Sequence, residues 1–218
     1  MSAATDYPPE PWHLGGSMHV TLWRVPVPTL PRSLEAALPD GACPITVRGH
    51  ALVGTAFVRY EPGSVLTYDE LLVATLVRHR RRVRVTISDI WVDSPASVAG
   101  GRELWGIPKH LATFARSGQA HDPVRLRAEV DGTTLAELAV TGRARIPGWR
   151  RLPMPTAQRL GGVERVSRVQ SLARLRLART AWRFPAGSPL TWLTGGRPLL
   201  SLSLEELSIA FGSAGSRS

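Results

Sequence analysis

The feature that most constrains this chain is a pair of hairpin signals. Asp131-Gly132 stands between two β-type runs, Val124 to Val130 and Thr133 to Ile146. Both residue types accept the left-handed backbone of a tight reversal, so Asp-Gly between strand-like runs is a strong short-range hairpin signal. A second reversal is expected where Leu66 to Val77 and Val83 to Val92 flank Arg78-His79-Arg80-Arg81-Arg82. Runs joined this closely pair antiparallel. Further strands are expected at His19 to Val25, Ala51 to Tyr60, Lys109 to Ala115 and Leu199 to Phe211. Arg174-Leu175-Arg176-Leu177 alternates with period two, which places Gly161 to Phe184 in strand despite its helix-favouring Leu, Ala and Arg. Short helices are expected at Ser33 to Leu38, capped by Ser33, and at Pro95 to Leu104, capped by Ser94. Pro8, Pro9 and Pro11 hold residues 1–16 as an extended arm, and residues 212–218 form a flexible tail. No repeat or linker divides the chain, so its 218 residues are read as one mainly β (α+β) domain, 1–218.

Charge and composition exclude several classes. The net charge is +10, and its densest run is the second hairpin tip. A tip is a solvated turn. A nucleic-acid face would add a groove-binding helix or exposed aromatics that stack bases, so no nucleic-acid partner is expected. Cys43 is the one cysteine, which rules out an internal disulfide and fits a reducing compartment. Met1 to Gly16 lacks a basic stretch followed by an apolar one, and no run approaches the roughly 18 apolar residues of a membrane span. A cytoplasmic protein without a membrane partner is expected.

Among the 27 Lys and Arg residues there is one lysine, Lys109. Every task that needs only positive charge falls to arginine, whose guanidinium never gives up its proton. An ammonium can become a nucleophile once its pKa is lowered. Other chemistries lack their residues. There is no phosphate-binding Gly-rich loop ending in Lys-Ser/Thr, no Gly-x-Gly-x-x-Gly and no Gly-x-Ser-x-Gly. The six histidines show no metal-ligand spacing and Cys43 has no cysteine partner, so no metal or cofactor is expected. A lysine amine attacks a ketone to form an imine, which then accepts the electron pair of a breaking neighbouring bond. From an ordinary value of about 10.4 its pKa must fall, through desolvation or nearby positive charge. Trp105, Ile107, Pro108 and Leu111 are candidates for an apolar wall, and Arg102 and His110 for the charge. The plainer alternative leaves Lys109 as an exposed strand residue and Trp105 as ordinary core.

Gly101-Arg102-Glu103-Leu104-Trp105-Gly106-Ile107-Pro108-Lys109 resembles the active-site signature of the acetoacetate decarboxylase superfamily, in which Gly-Arg-Glu leads into Pro-Lys. Ile90-Trp91-Val92-Asp93-Ser94-Pro95-Ala96 is similar to the strand and turn just upstream in that family. Leu66-Thr67-Tyr68-Asp69-Glu70 resembles its Tyr-x-Glu strand. The likeness is good over residues 50–115 and looser over 172–193.

The resemblance implies an antiparallel β cone or barrel assembled into homo-oligomers. It implies Lys109 as the Schiff-base lysine, Glu70 as the carboxylate beside it and Glu61 as a second glutamate. Tyr68, Trp105 and His110 become substrate-binding or supporting residues, and Arg102 and Glu103 hold the turn that presents Lys109. Two positions depart from the family. His110 replaces a second lysine, and ungapped matching puts Gly16 where the family has an early arginine for the substrate carboxylate; Arg24, Arg102 or another arginine is the candidate to replace it. The function implied is a Schiff-base lyase acting on a small-molecule keto substrate, by decarboxylation of a β-keto acid or by aldol, dehydration or cyclisation chemistry on a larger keto substrate. The alternative is a non-catalytic small-molecule binding protein that uses the same pocket.

Overall fold

The computed structural model describes residues 6–118 and 123–212. The start of the expected arm, most of the expected tail and His121 fall outside them. Strands are β1 (Trp12–Pro26), β2 (Cys43–Pro44), β3 (Thr46–Val47), β4 (His50–Tyr60), β5 (Tyr68–His79), β6 (Arg82–Val92) and β7 (Lys109–Leu111). They continue as β8 (Thr113–Ser117), β9 (Val124–Val130), β10 (Thr133–Arg151), β11 (Thr156–Leu160), β12 (Val163–Ser167), β13 (Val169–Arg183) and β14 (Arg197–Phe211). Two α-helices, α1 (Arg32–Ala37) and α2 (Pro95–Trp105), complete the regular structure with two short 3-10 turns.

Both expected hairpins form. Asp131 and Gly132 take φ of 47° and 77° between β9 and β10. At the other tip Arg80 and Arg81 take φ of 48° and 64°, with His79 paired to Arg82. The arginine run is not uniformly solvated, because alternation along β5 puts His79 on the same face as Val77, where it is buried. The 161–184 stretch is strand, as β12 and β13.

Three local expectations change. The arm ends earlier: strand β1 begins at Trp12, and residues 12–16 pair with β14 and, from Gly16 on, with β4. Lys109 to Ala115 divides into β7, parallel to β6, and β8, antiparallel to β9. Helix α1 begins beyond Pro31 with no side-chain cap. Ser33 lies inside it and donates to the Asp89 carboxylate at 3.2 Å.

Among the described residues one 14-stranded sheet has the main path β12-β11-β6-β5-β4-β1-β14-β13-β10-β9-β8, with β2, β3 and β7 pairing off it to β5, β4 and β6. The path is open, and it curls so that both faces of its centre are covered. The end carrying β8 to β10 folds over the outer face of β4 and β5, where Phe57 stacks on Trp182 at 5.6 Å and meets Phe114 edge-on at 6.3 Å. Leu71, Val73, Leu135, Ala136 and Leu138 fill this layer. On the inner face, strands β6, β5, β4, β1, β14 and β13 form a trough.

Residues 151–156 bridge the open side of that trough. Arg151 pairs with Leu172, the amides of Leu152 and Met154 donate to Ser171 and Val169, and the Pro155 carbonyl accepts from Val85 at 3.0 Å. A buried amide secures the next step. Gln158, fully buried, accepts from the Ile87 amide at 2.6 Å and donates to the Ile87 carbonyl at 2.9 Å, standing in for a backbone peptide between β11 and β6. The result is a cone-like wall around a hollow.

Candidate active site

The hollow is a cavity of about 410 Å³. Alternate residues of β5 (Glu70, Leu72, Ala74 and Leu76) line it along their length, as the two-residue period of a strand requires. Burial grades along it. Tyr60, Tyr68, Glu70, Trp105 and Lys109 at one end are buried, whereas Leu22, Ala74, Leu76 and Val85 towards the other are half-buried. The exposed wall residues are Arg151, Pro153 and Met154 on the bridging segment. The lysine end is therefore the closed end.

Helix α2 and the turn after it place Lys109. Ser94 caps the helix by accepting from the Ser97 amide at 3.2 Å, with Pro95 in the first turn. Gly106 ends it in the left-handed conformation, φ 65°, as a C-terminal glycine commonly does. Pro108 then leads into β7, which lies parallel to β6 with Lys109 opposite Ile90. Two glycines inside the helix cost about 1 kcal/mol each relative to alanine, and both stand at close approaches. A Cβ on Gly101 would come within 2.7 Å of Lys109 Cδ, and one on Gly100 within 2.5 Å of the Trp12 ring. The lysine chain crosses the helix where a side chain is missing.

At the closed end Lys109 Nζ donates to Glu70 Oε2 at 2.9 Å, to Ser97 Oγ at 2.9 Å and to Tyr68 OH at 3.3 Å. Lys109 is 4% exposed and Glu70 3%. Burial pushes the Lys109 amine down, but the Glu70 carboxylate and the Tyr68 phenol outweigh it, and the amine stands above its ordinary value. Burial also raises the Tyr68 phenol, and burial with the nearby Glu70 carboxylate raises that of Tyr60 well above the usual range, so both keep their protons at neutral pH.

The expected residues divide into two groups. Lys109, Glu70, Tyr68 and Trp105 meet at the cavity. Arg102, Glu103, His110 and Glu61 do not. The guanidinium of Arg102 donates to the Lys109 backbone carbonyl at 2.8 Å and approaches His110 at 3.4 Å, so neither supplies the charge expected beside the amine. His110 turns outward because neighbours on a strand face opposite sides, and Glu103 accepts from Tyr7 at 2.7 Å on the surface. Leu111 is likewise exposed and forms no part of the apolar wall. Strand β4 ends at Tyr60, leaving Glu61 outside the cavity in a surface groove with Arg59, Asp69 and Asp93, which shares Tyr60 and Tyr68 with the cavity wall.

Gly16 has no room for a side chain, because its Cβ would collide with the Arg59 backbone carbonyl. Arg24 points to His50 instead of the cavity. Among the described residues, Arg151 is the guanidinium on the cavity wall. Ser97 is the site residue that sequence reasoning missed; its place three residues after the capping Ser94 was the available signal. Among the described residues no cluster of His, Cys, Asp or Glu is arranged to hold a metal ion, and no helix is long and apolar enough to cross a membrane.

Comparison with known proteins gives a consistent assignment. No curated protein sequence is significantly similar to this chain. Solved structures share its fold at low identity. An acetoacetate decarboxylase from Legionella pneumophila superposes with a TM-score of 0.69 at 16% identity, covering 99% of this chain and 92% of its own. A second acetoacetate decarboxylase gives 0.68 at 15%, over 94% and 88%. The enduracididine biosynthesis enzyme MppR, complexed with pyruvate, gives 0.68 at 19%, over 99% and 92%. The same enzyme holding the condensation product of pyruvate and imidazole 4-carboxaldehyde gives 0.64 at 19%, over 99% and 91%. The family model for acetoacetate decarboxylase matches residues 3–163, from before β1 through helix α2 and Lys109 to the start of β12. By that match the chain belongs to the acetoacetate decarboxylase family.

Proposed function

We propose that this protein is a Schiff-base-forming lyase acting on a keto compound, with Lys109 as the nucleophile. The observation that carries the reading is the lone lysine amine sealed at the closed end of an apolar cavity, 2.9 Å from a buried carboxylate. The amine starts protonated. Activation therefore proceeds through the pair, not through a depressed resting pKa. A carbonyl compound filling the cavity expels water, and two charges held in a dry site cost more than two neutral groups. The proton passes from Nζ to Glu70, and the freed lone pair attacks the carbonyl carbon.

The surplus proton on nitrogen neutralises the new alkoxide. Glu70 then gives its proton to the departing hydroxyl, which leaves as water while the nitrogen lone pair closes the C=N bond. The product is a protonated imine beside a restored carboxylate. The imine takes up the electron pair released when an adjacent C–C or C–H bond breaks. Tyr68 and Ser97 hold the nitrogen throughout, and Trp105 walls the pocket. This chemistry needs no cofactor.

With Gly16 unable to carry a carboxylate-binding side chain, strict acetoacetate decarboxylation ranks below broader decarboxylation, aldol, dehydration or cyclisation chemistry. The condensation product bound by MppR supports keeping condensation among these. A second reading, a non-catalytic binding protein, draws on the raised amine pKa.

Incubation with acetone or acetoacetate plus borohydride, followed by intact-mass analysis, tests the two. An adduct in the native protein that is lost in Lys109→Arg supports the enzyme. No adduct, with ligand binding undiminished in the variant, moves the case to the binding protein.

A further inference from the structure

The cavity is much larger than the carbonyl chemistry at its closed end requires. Its 410 Å³ lies in the range of pockets for drug-sized ligands, about 300–1,000 Å³. At roughly 30 Å³ per water-sized group it takes on the order of a dozen non-hydrogen atoms. Its length follows from β5: the six steps from Glu70 to Leu76 span about 20 Å. Volume over length leaves a channel about 5 Å across, the width of one methylene chain in contact with its walls. Between the two ends the walls are aliphatic, including Val20, Leu72, Ile87, Ile90 and Leu202.

The hollow is made by small side chains. Gly54 and Ala74 face each other across the β4–β5 pair, midway along the channel. Neither is imposed by the backbone. A Cβ on Gly54 would meet its nearest atom, the Ala74 carbonyl oxygen, at 3.8 Å, an ordinary contact. A larger residue fits and would fill the space. The burial gradient adds direction: the amine is at the sealed end, so a substrate reaches it with its carbonyl leading and its body trailing towards Leu76 and Val85.

We infer that the substrate is a medium-chain ketone, on the order of a dozen carbons long, with its carbonyl near one end and an unbranched apolar chain along the channel. This specificity rests on the imine-forming role of Lys109. Gly54 and Ala74 leave room for the chain, and Leu76 bounds it.

The test compares 2-undecanone with acetone in two measurements on the whole protein. Tryptophan fluorescence reads binding without chemistry, since Trp12 and Trp105 line the cavity; borohydride trapping reads imine formation. Each buried methylene favours binding about fourfold, so the long ketone should bind at least about 100-fold more tightly after allowance for chain ordering. Gly54→Leu and Ala74→Phe should each cut that preference at least about tenfold, and Leu76→Ala should move the optimum to a longer ketone. Equal binding of the two ketones, or a preference untouched by both filling variants, overturns the inference. Tight, chain-length-dependent binding without any trapped adduct would instead remove the imine reading while keeping the apolar ligand class.

Discussion

Strand β5 presents two different environments from one backbone. Its outward residues Leu71, Val73 and Val77 are completely buried, packed under the folded-over end of the sheet. Its inward residues Glu70, Leu72, Ala74 and Leu76 face a void. Stability is concentrated on the filled side, and the hollow side leaves packing unmade. The ionic pair at the closed end of the hollow is the costly exception, because both charges are buried there.

Substitutions on the two faces should therefore behave differently. The largest effect is expected at Glu70. Glu70→Gln leaves a buried ammonium without its counter-charge and should destabilise by about 3–5 kcal/mol, read by urea unfolding. It should also lower the Lys109 amine from its raised value, since the Tyr68 phenol alone then opposes desolvation; the pH dependence of trapping reports this. On the filled side, Leu71→Ala should cost about 2–5 kcal/mol in the same assay.

A titration gives the next effect. His19 lies opposite Phe57 across the β1–β4 pair, with Nδ1 2.8 Å from Ser203 Oγ. Burial, with Arg116 adding to it, lowers its pKa from 6.5 to about 4. The unfolded chain thus takes up the proton first as pH falls. The stability contribution is complete above pH 6.5, declines as pH drops towards 4, and amounts to at most about 3 kcal/mol. His19→Gln should flatten unfolding free energy across that window; an unchanged slope would assign the acid response to other groups.

The smallest effect tests the comparison most directly. Leu72→Ala, one residue from Leu71 but facing the void, should cost less than about 1 kcal/mol, because the removed atoms had few neighbours to lose. Equal costs at positions 71 and 72 would show that the inner face is packed as tightly as the outer one.

Much of the frame was legible because it is local. Asp131-Gly132, the arginine tip, the Ser94 cap and the alternation at 174–177 each state their geometry within a few residues. The Gly-Arg-Glu to Pro-Lys block located the lysine, and the Tyr-x-Glu strand its carboxylate. What was not legible depends on partners distant in sequence. Trp12 opens a strand straight after Pro11 because β14 lies beside it, which local proline content conceals. Gln158 and Ser97 look like ordinary polar residues until the chains they bridge are adjacent. Alternation tells which residues of β5 share a face but not whether that face is filled. The expected positive neighbours of Lys109 failed for the same reason: closeness in sequence put Arg102 on the lysine's carbonyl, not its amine.

The crowding at Gly16 bears on redesign. An arginine cannot be grafted back there by a point change, because β1 and β4 would first have to be prised apart. Engineering this scaffold towards short, charged keto acids would have to begin from another wall of the channel, and Arg151 already offers a guanidinium there to move inward.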